Sequence, residues 1–186
     1  MYAPGYKKLF WGMFLIIFSF KLGYADILPN FIGYYFIYLG LGILKPQKEL
    51  FEKGKLPAFA MAVLSFIDLF RSGNTNLLEG QLLGGNIWSM LVASTSSIIN
   101  LYLFYIICRS IYELSEIRGL QELKEAAKAK YMFYFIVSAI STFYIPFSLN
   151  LPQSFNSIMI LIVFINLFSA FSIMMLFSKS KGLLAN

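Results

Sequence analysis

Four ionisable side chains stand within or beside strongly apolar runs: Lys21, Asp26, Asp68 and Arg71. A charge in such surroundings marks an ion or proton path, or a pair held at a membrane interface. Asp68 and Arg71 lie three apart, the spacing at which side chains on one helix meet, so an interfacial pair is the simpler expectation. Lys21 and Asp26 flank a short break between two apolar runs in "FSFKLGYADILPNFIGYYFIY" (18–38). A second set is polar and uncharged: Ser89, Ser96 and Asn100 in one apolar run, Ser138 and Ser141 in the next, Asn166 in the last. Small hydroxylated residues bind membrane helices together through close backbones and hydrogen bonds. The same types would also line a hydrated solute path.

The chain contains no histidine and a single cysteine, Cys108. That removes the commonest metal ligand and general base, and an intrachain disulfide is impossible. No phosphate-binding glycine loop, nucleophile elbow or paired catalytic carboxylates occur, so the expectation is a protein without catalysis, cofactor, metal or nucleic-acid partner.

These residues must be positioned by elements whose solvent is lipid. Of 186 residues 59% are hydrophobic and only 13% charged, and the mean hydropathy is +0.71. One small core cannot hide that much apolar surface. Residues 87–108 form a run of 22 without charge and 157–177 one of 21, each long enough for a bilayer core of about 30 Å. Residues 131–147 are charge-free as well. Three shorter runs reach spanning length if a flanking charge sits at the interface, where long cations snorkel. Lys7 and Lys8 ahead of the first run imitate a secretory signal, but the small-residue cleavage site is poor.

The expected fold is therefore all-α: a polytopic bundle of six spans in three hairpins, at about 7–24, 27–44, 56–72, 87–108, 131–148 and 156–178. Lys21 would close the first span, Asp26 would cap the second, and Pro29 would sit in its first turn. Gly33 and Gly40, seven apart, share a face and predict a close helix crossing. With the N-terminus inside, 13 of the 15 basic residues fall on the cytoplasmic side, as the positive-inside rule requires. Residues 71–86 form an external loop.

Between spans four and five, "RSIYELSEIRGLQELKEAAKAK" (109–130) is polar and helix-favouring. Ile111, Leu114, Ile117, Leu120 and Leu123 recur every three residues in it. An apolar set on a cytosolic helix needs cover, from its own bundle, from lipid or from a docked protein. The simpler expectation is an extension of the fourth span that folds back on its own bundle; otherwise the segment is the contact for a second protein or copy, and the expected partners are the bilayer and that protein.

"DILPNFIGYYFIYLGLGIL" (26–44) and "RSIYELSEIRGLQELKEAAKAKYMFYFI" (109–136) together resemble small multi-pass membrane proteins of Gram-positive bacteria that have no assigned activity. Those proteins show an Asp-x-Leu-Pro-Asp-Phe-Ile-Gly-Tyr-like first hairpin, in which Asn30 here replaces the second acid. The resemblance implies a bacterial plasma membrane and a six-helix unit. In size, basicity and topology the chain is also similar to the substrate-binding S-components of energy-coupling-factor importers, which implies an outward-facing solute site. Their Ala-x-x-x-Ala coupling motif is missing from the first span, and Ala58 and Ala62 fall in the third.

Overall fold

The computed structural model describes residues 1–18, 21–22, 25–26, 30–71, 87–148 and 156–185. Six long helices dominate: α1 (Ala3–Ile17), α2 (Asn30–Leu44), α4 (Lys55–Arg71), α5 (Ile87–Ile117), α6 (Gln121–Ser148) and α7 (Asn156–Leu184). A single turn, α3 (Leu50–Lys53), precedes α4. The five apolar runs from residue 31 onward each lie in one of the long helices, and the first lies in α1 as far as Ile17. Two stretches, Ser94–Ile117 and Leu161–Leu184, are long and apolar enough to cross a membrane.

The first hairpin departs from expectation at its tip. α1 ends at Ile17, so Lys21 lies outside it. Lys21–Leu22 (β1) instead pairs antiparallel with Ala25–Asp26 (β2), with Lys21 opposite Asp26 and Leu22 opposite Ala25. Asp26 is therefore a strand residue, and α2 begins four residues later. The physical reason is backbone accounting: chain that has left a helix has N–H and C=O groups to pair, and a two-residue ladder pairs some of them. Pro29 lies outside the described residues.

α1 and α2 meet through glycines. A Cβ placed on Gly12 would lie 2.6 Å from the Gly33 carbonyl oxygen, and one on Gly33 would lie 2.7 Å from that of Gly12. One heptad away, a Cβ on Gly40 would come within 2.9 Å of the Gly5 carbonyl oxygen. The expected crossing at Gly33 and Gly40 thus exists, and its partners are Gly12 and Gly5. Backbone touches backbone at both levels of the antiparallel pair.

From there the helices form a ring. α2 packs on α4, α4 on α5, α5 on α6, α6 on α7, and α7 returns onto α1. Tyr6, Leu9 and Met13 of α1, Ile37 and Leu41 of α2, Leu103 and Ile107 of α5, and Ile173 and Phe177 of α7 fill the shared core. Outward, Phe143 of α6 is 73% exposed and Phe168 of α7 67%. Phe59 and Phe66 of α4, Ile98 and Tyr102 of α5 and Phe164 of α7 are exposed with them.

Residues 109–130 are helical except at one break, as an extension of the fourth apolar run that folds back on the bundle. α5 runs on to Ile117 and α6 starts at Gln121, so the segment is the closed end of an αα-hairpin. Gly119, at φ 68°, makes the break. The Leu120 N–H bonds the Ser115 carbonyl and the Gly119 N–H bonds that of Glu116, the six-to-one and five-to-two pattern of a Schellman stop. Gly is the residue that adopts this left-handed backbone without steric cost.

Candidate functional site

Both chain ends, the α2–α4 connection and the α5–α6 hairpin meet at one end of the bundle. The Met1 ammonium and the Tyr2 N–H both donate to the Ala185 carbonyl. Gln47 takes a hydrogen bond from the Tyr6 hydroxyl and donates to the Leu184 carbonyl at 2.6 Å. Lys48 reaches Glu113 at 2.8 Å, joining the α2–α4 connection to α5. The segments 45–55 and 109–130, assigned to one side from their charge, are thus in direct contact. Five ion pairs lie here: Lys45–Glu52, Lys48–Glu113, Arg109–Glu113, Lys124–Glu116 and Lys179–Glu122.

Glu113 is the hub, because it also accepts from Arg109 Nε at 2.7 Å. The bond from Lys48 holds its carboxyl below the usual range, Arg109 adds to that, and partial burial opposes both. A depressed folded-state value stabilises the fold above the ordinary carboxyl value of 4.5. That contribution is lost as pH falls through the lowered one. Glu113→Gln is therefore expected to cost about 1 kcal/mol at neutral pH, the upper end for partly exposed pairs. The difference from wild type should shrink as pH falls through that lowered value, as read by thermal unfolding in detergent across a pH series. A constant difference through that fall would reject the electrostatic origin.

Lys130 is a structural contact that composition alone gave no reason to single out. Its Nζ donates to the Ser172 carbonyl at 3.0 Å, tying α6 to α7. Burial pulls its pKa down, and the nearby Lys179 charge acts in the same sense. The available sign in the sequence was its place as the last charge before a 17-residue charge-free run.

The polar residues of the apolar helices pair with each other or with backbone. Asn100 and the Tyr34 hydroxyl of α2 exchange hydrogen bonds, with Nδ2 to the hydroxyl at 2.7 Å. Asn166 Nδ2 of α7 donates to Ser141 Oγ of α6 at 2.6 Å and to the Ile162 carbonyl. Ser141 in turn donates to the Val137 carbonyl. Ser96 and Ser138 are half-buried on α5 and α6. The solute-path set is thus divided between an α2–α5 contact and an α6–α7 contact. Sequence reasoning missed Tyr34 as the partner of Asn100, since no local pattern links residues 66 apart. Ser89, Asp68 and Arg71 lie in helical backbone, but their side chains fall outside the described residues, as do those of Lys21 and Asp26. Of the expected external loop at 71–86, Arg71 is the last residue of α4 and residues 72–86 lie outside the described residues.

The expected docking stripe is mostly core. Ile111 and Leu123 are fully buried and Leu114 is 5% exposed, Leu120 is half-buried, and only Ile117 projects, at 72%. The reason is geometric. A step of three residues falls about 60° short of a full turn, so residues at that spacing wind round a helix instead of lining one face. The Gly119 break then folds Leu123 back against α5.

Among the described residues no three His, Cys, Asp or Glu side chains group to hold a metal. No family model, curated protein or solved structure matches this chain, so any activity must be argued from its own geometry.

Proposed function

We propose that the chain is a non-catalytic integral protein of the bacterial plasma membrane that crosses the bilayer six times. Both termini, residues 45–55 and the α5–α6 hairpin face the cytoplasm. One observation carries this reading: exposed aromatic and aliphatic side chains cover the outer faces of α4 to α7, while the five ion pairs named above gather at one end of the bundle. Water penalises the first surface and lipid the second, so a bilayer accommodates both. α1 and α2 have 15 residues each, about 22 Å of helix. The β1–β2 ladder extends that hairpin outward with its backbone paired.

Within the membrane the molecule acts as a subunit of a larger complex, and its contact is the tip of the α5–α6 hairpin. With Ile111, Leu114 and Leu123 spent on the core, the available surface there is Glu116, Ile117, Arg118, Gln121 and Glu122. The mutual pairing of Asn100 with Tyr34 and of Asn166 with Ser141 supports a packing role for those polar groups over a solute path.

The test places single cysteines at 49, 117 and 164 in a Cys108→Ser background. Residues 49 and 117 are expected to react with a membrane-impermeant thiol reagent only after the cytoplasmic face is opened, and 164 to resist it throughout. Labelling of 49 and 117 from opposite faces would overturn the topology. Migration in mild detergent as a complex larger than one chain is the result expected of a subunit, and a lone monomer counts against that role.

A further inference from the structure

We propose that a groove between α5 and α6 binds the phosphodiester head of an anionic phospholipid, an inference that rests on the membrane reading above. The cavity has a volume of about 310 Å³ and is lined by Tyr105, Arg109, Tyr112, Lys128, Tyr131 and Met132 among others. That is the small end of ligand sites, which run from about 300 to 1,000 Å³. It admits a headgroup and leaves the acyl chains outside.

Its charge is unbalanced toward positive. Lys128 is exposed, and no carboxylate pairs with it among the described residues. Arg109 gives only its Nε to Glu113 in the bond described above, one of five guanidinium donors. Glu113 is itself shared with Lys48. The Arg109 guanidinium lies 5.3 Å from the centre of the Tyr112 ring, and Lys124, which Glu116 pairs, lies 5.1 Å from it outside the groove lining. A planar fork and a nearby ammonium suit the tetrahedral oxygens of a phosphodiester.

Position selects the source of that phosphate. Arg109 and Lys128 belong to the two ends of the charge-free runs 87–108 and 131–147 on adjacent antiparallel helices. The 22 residues preceding Arg109 extend about 33 Å, which matches the hydrocarbon thickness of about 30 Å and sets Arg109 at headgroup depth. The Tyr105 and Tyr131 rings meet in a tilted contact, 5.2 Å between centres, on the membrane side of the two cations, the level favoured by amphipathic rings. Exposed Ile98, Tyr102 and Phe135 continue below. Phe135 is in ring contact with Tyr131, and together these residues give a track for acyl chains.

Native mass spectrometry of the full-length protein in non-ionic detergent tests this, with phosphatidylglycerol, phosphatidylcholine and inorganic phosphate as probes. Phosphatidylglycerol is expected to be retained about tenfold better than phosphatidylcholine, with Arg109→Gln and Lys128→Gln each lowering retention about tenfold. Glu113→Gln, which releases Arg109, should raise it. Lys128→Gln breaks no internal ion pair and guards against misfolding as the cause. Equal retention of the two lipids, or retention untouched by Lys128→Gln, overturns the site. Displacement of the lipid by millimolar inorganic phosphate would also overturn it, by assigning the groove to free phosphate. Detergent-phase partitioning separates the premises. A protein found in the detergent phase without selective lipid fails this inference alone, and one in the aqueous phase fails the membrane reading.

Discussion

Gly12→Ala and Gly33→Ala are each expected to destabilise the bundle by about 3 kcal/mol or more, the upper range for overpacking a tight contact. In both, the added methyl would sit 2.6–2.7 Å from a carbonyl oxygen of the facing helix. A backbone oxygen cannot rotate aside, so the helices must separate. Separation forfeits dispersion contacts along the whole seam, including those of Leu9 and Ile37, which are fully buried. The series is graded. Gly40→Ala meets the Gly5 carbonyl at 2.9 Å and should cost less. Gly5→Ala first meets the Leu44 side chain at 2.7 Å, which has rotamers to use, and should cost less again. Gly42 has nothing within 4 Å, so Gly42→Ala should be neutral or stabilising by up to about 1 kcal/mol through helix propensity. Gly12→Ala with Gly33→Ala should cost less than the sum, because one separation relieves both clashes. Thermal unfolding in detergent ranks the set. Equal tolerance of Ala at positions 12 and 42 would reject the crossing.

Leu123→Ala should cost about 3 kcal/mol, within the range for truncating a buried leucine, while Ile117→Ala should change stability by less than about 0.5 kcal/mol. Both belong to the same every-third-residue apolar set, and both lie at the closed end of the α5–α6 hairpin. Leu123 is fully buried in the common core and Ile117 is 72% exposed. For a partner-facing stripe the two substitutions would be alike: neutral for the isolated chain and harmful to association. For the observed packing, only Leu123→Ala lowers the unfolding temperature, and only Ile117→Ala weakens a partner contact at the tip. A stable Leu123→Ala variant that loses its complex would restore the stripe as a docking surface.

The contrast between these two leucine-type positions shows where local pattern stops being informative. Hydropathy is a sum over neighbouring residues, so the locations of the apolar runs follow from the chain alone. Five helices start or end within two residues of the expected span limits at 27–44, 56–72, 87–108, 131–148 and 156–178, at one end or both. Charge is likewise a local count, and the segments it assigned to one side are those that Lys48 and Glu113 bring together. Gly33 and Gly40 announced a close crossing because small residues seven apart share a face.

Tertiary structure alone decided which faces meet. Gly33 needed Gly12, Asn100 needed Tyr34, Ser141 needed Asn166, and α7 had to return to α1 to close the ring. None of these pairings leaves a trace in local composition, because each is chosen by the shape of a surface contributed from elsewhere in the chain. The same limit explains the first hairpin. Lys21 and Asp26 read as helix-end charges, yet the backbone between α1 and α2 pairs as a short ladder. That ladder, Lys21 opposite Asp26 and Leu22 opposite Ala25, supplies partners for backbone groups outside both helices.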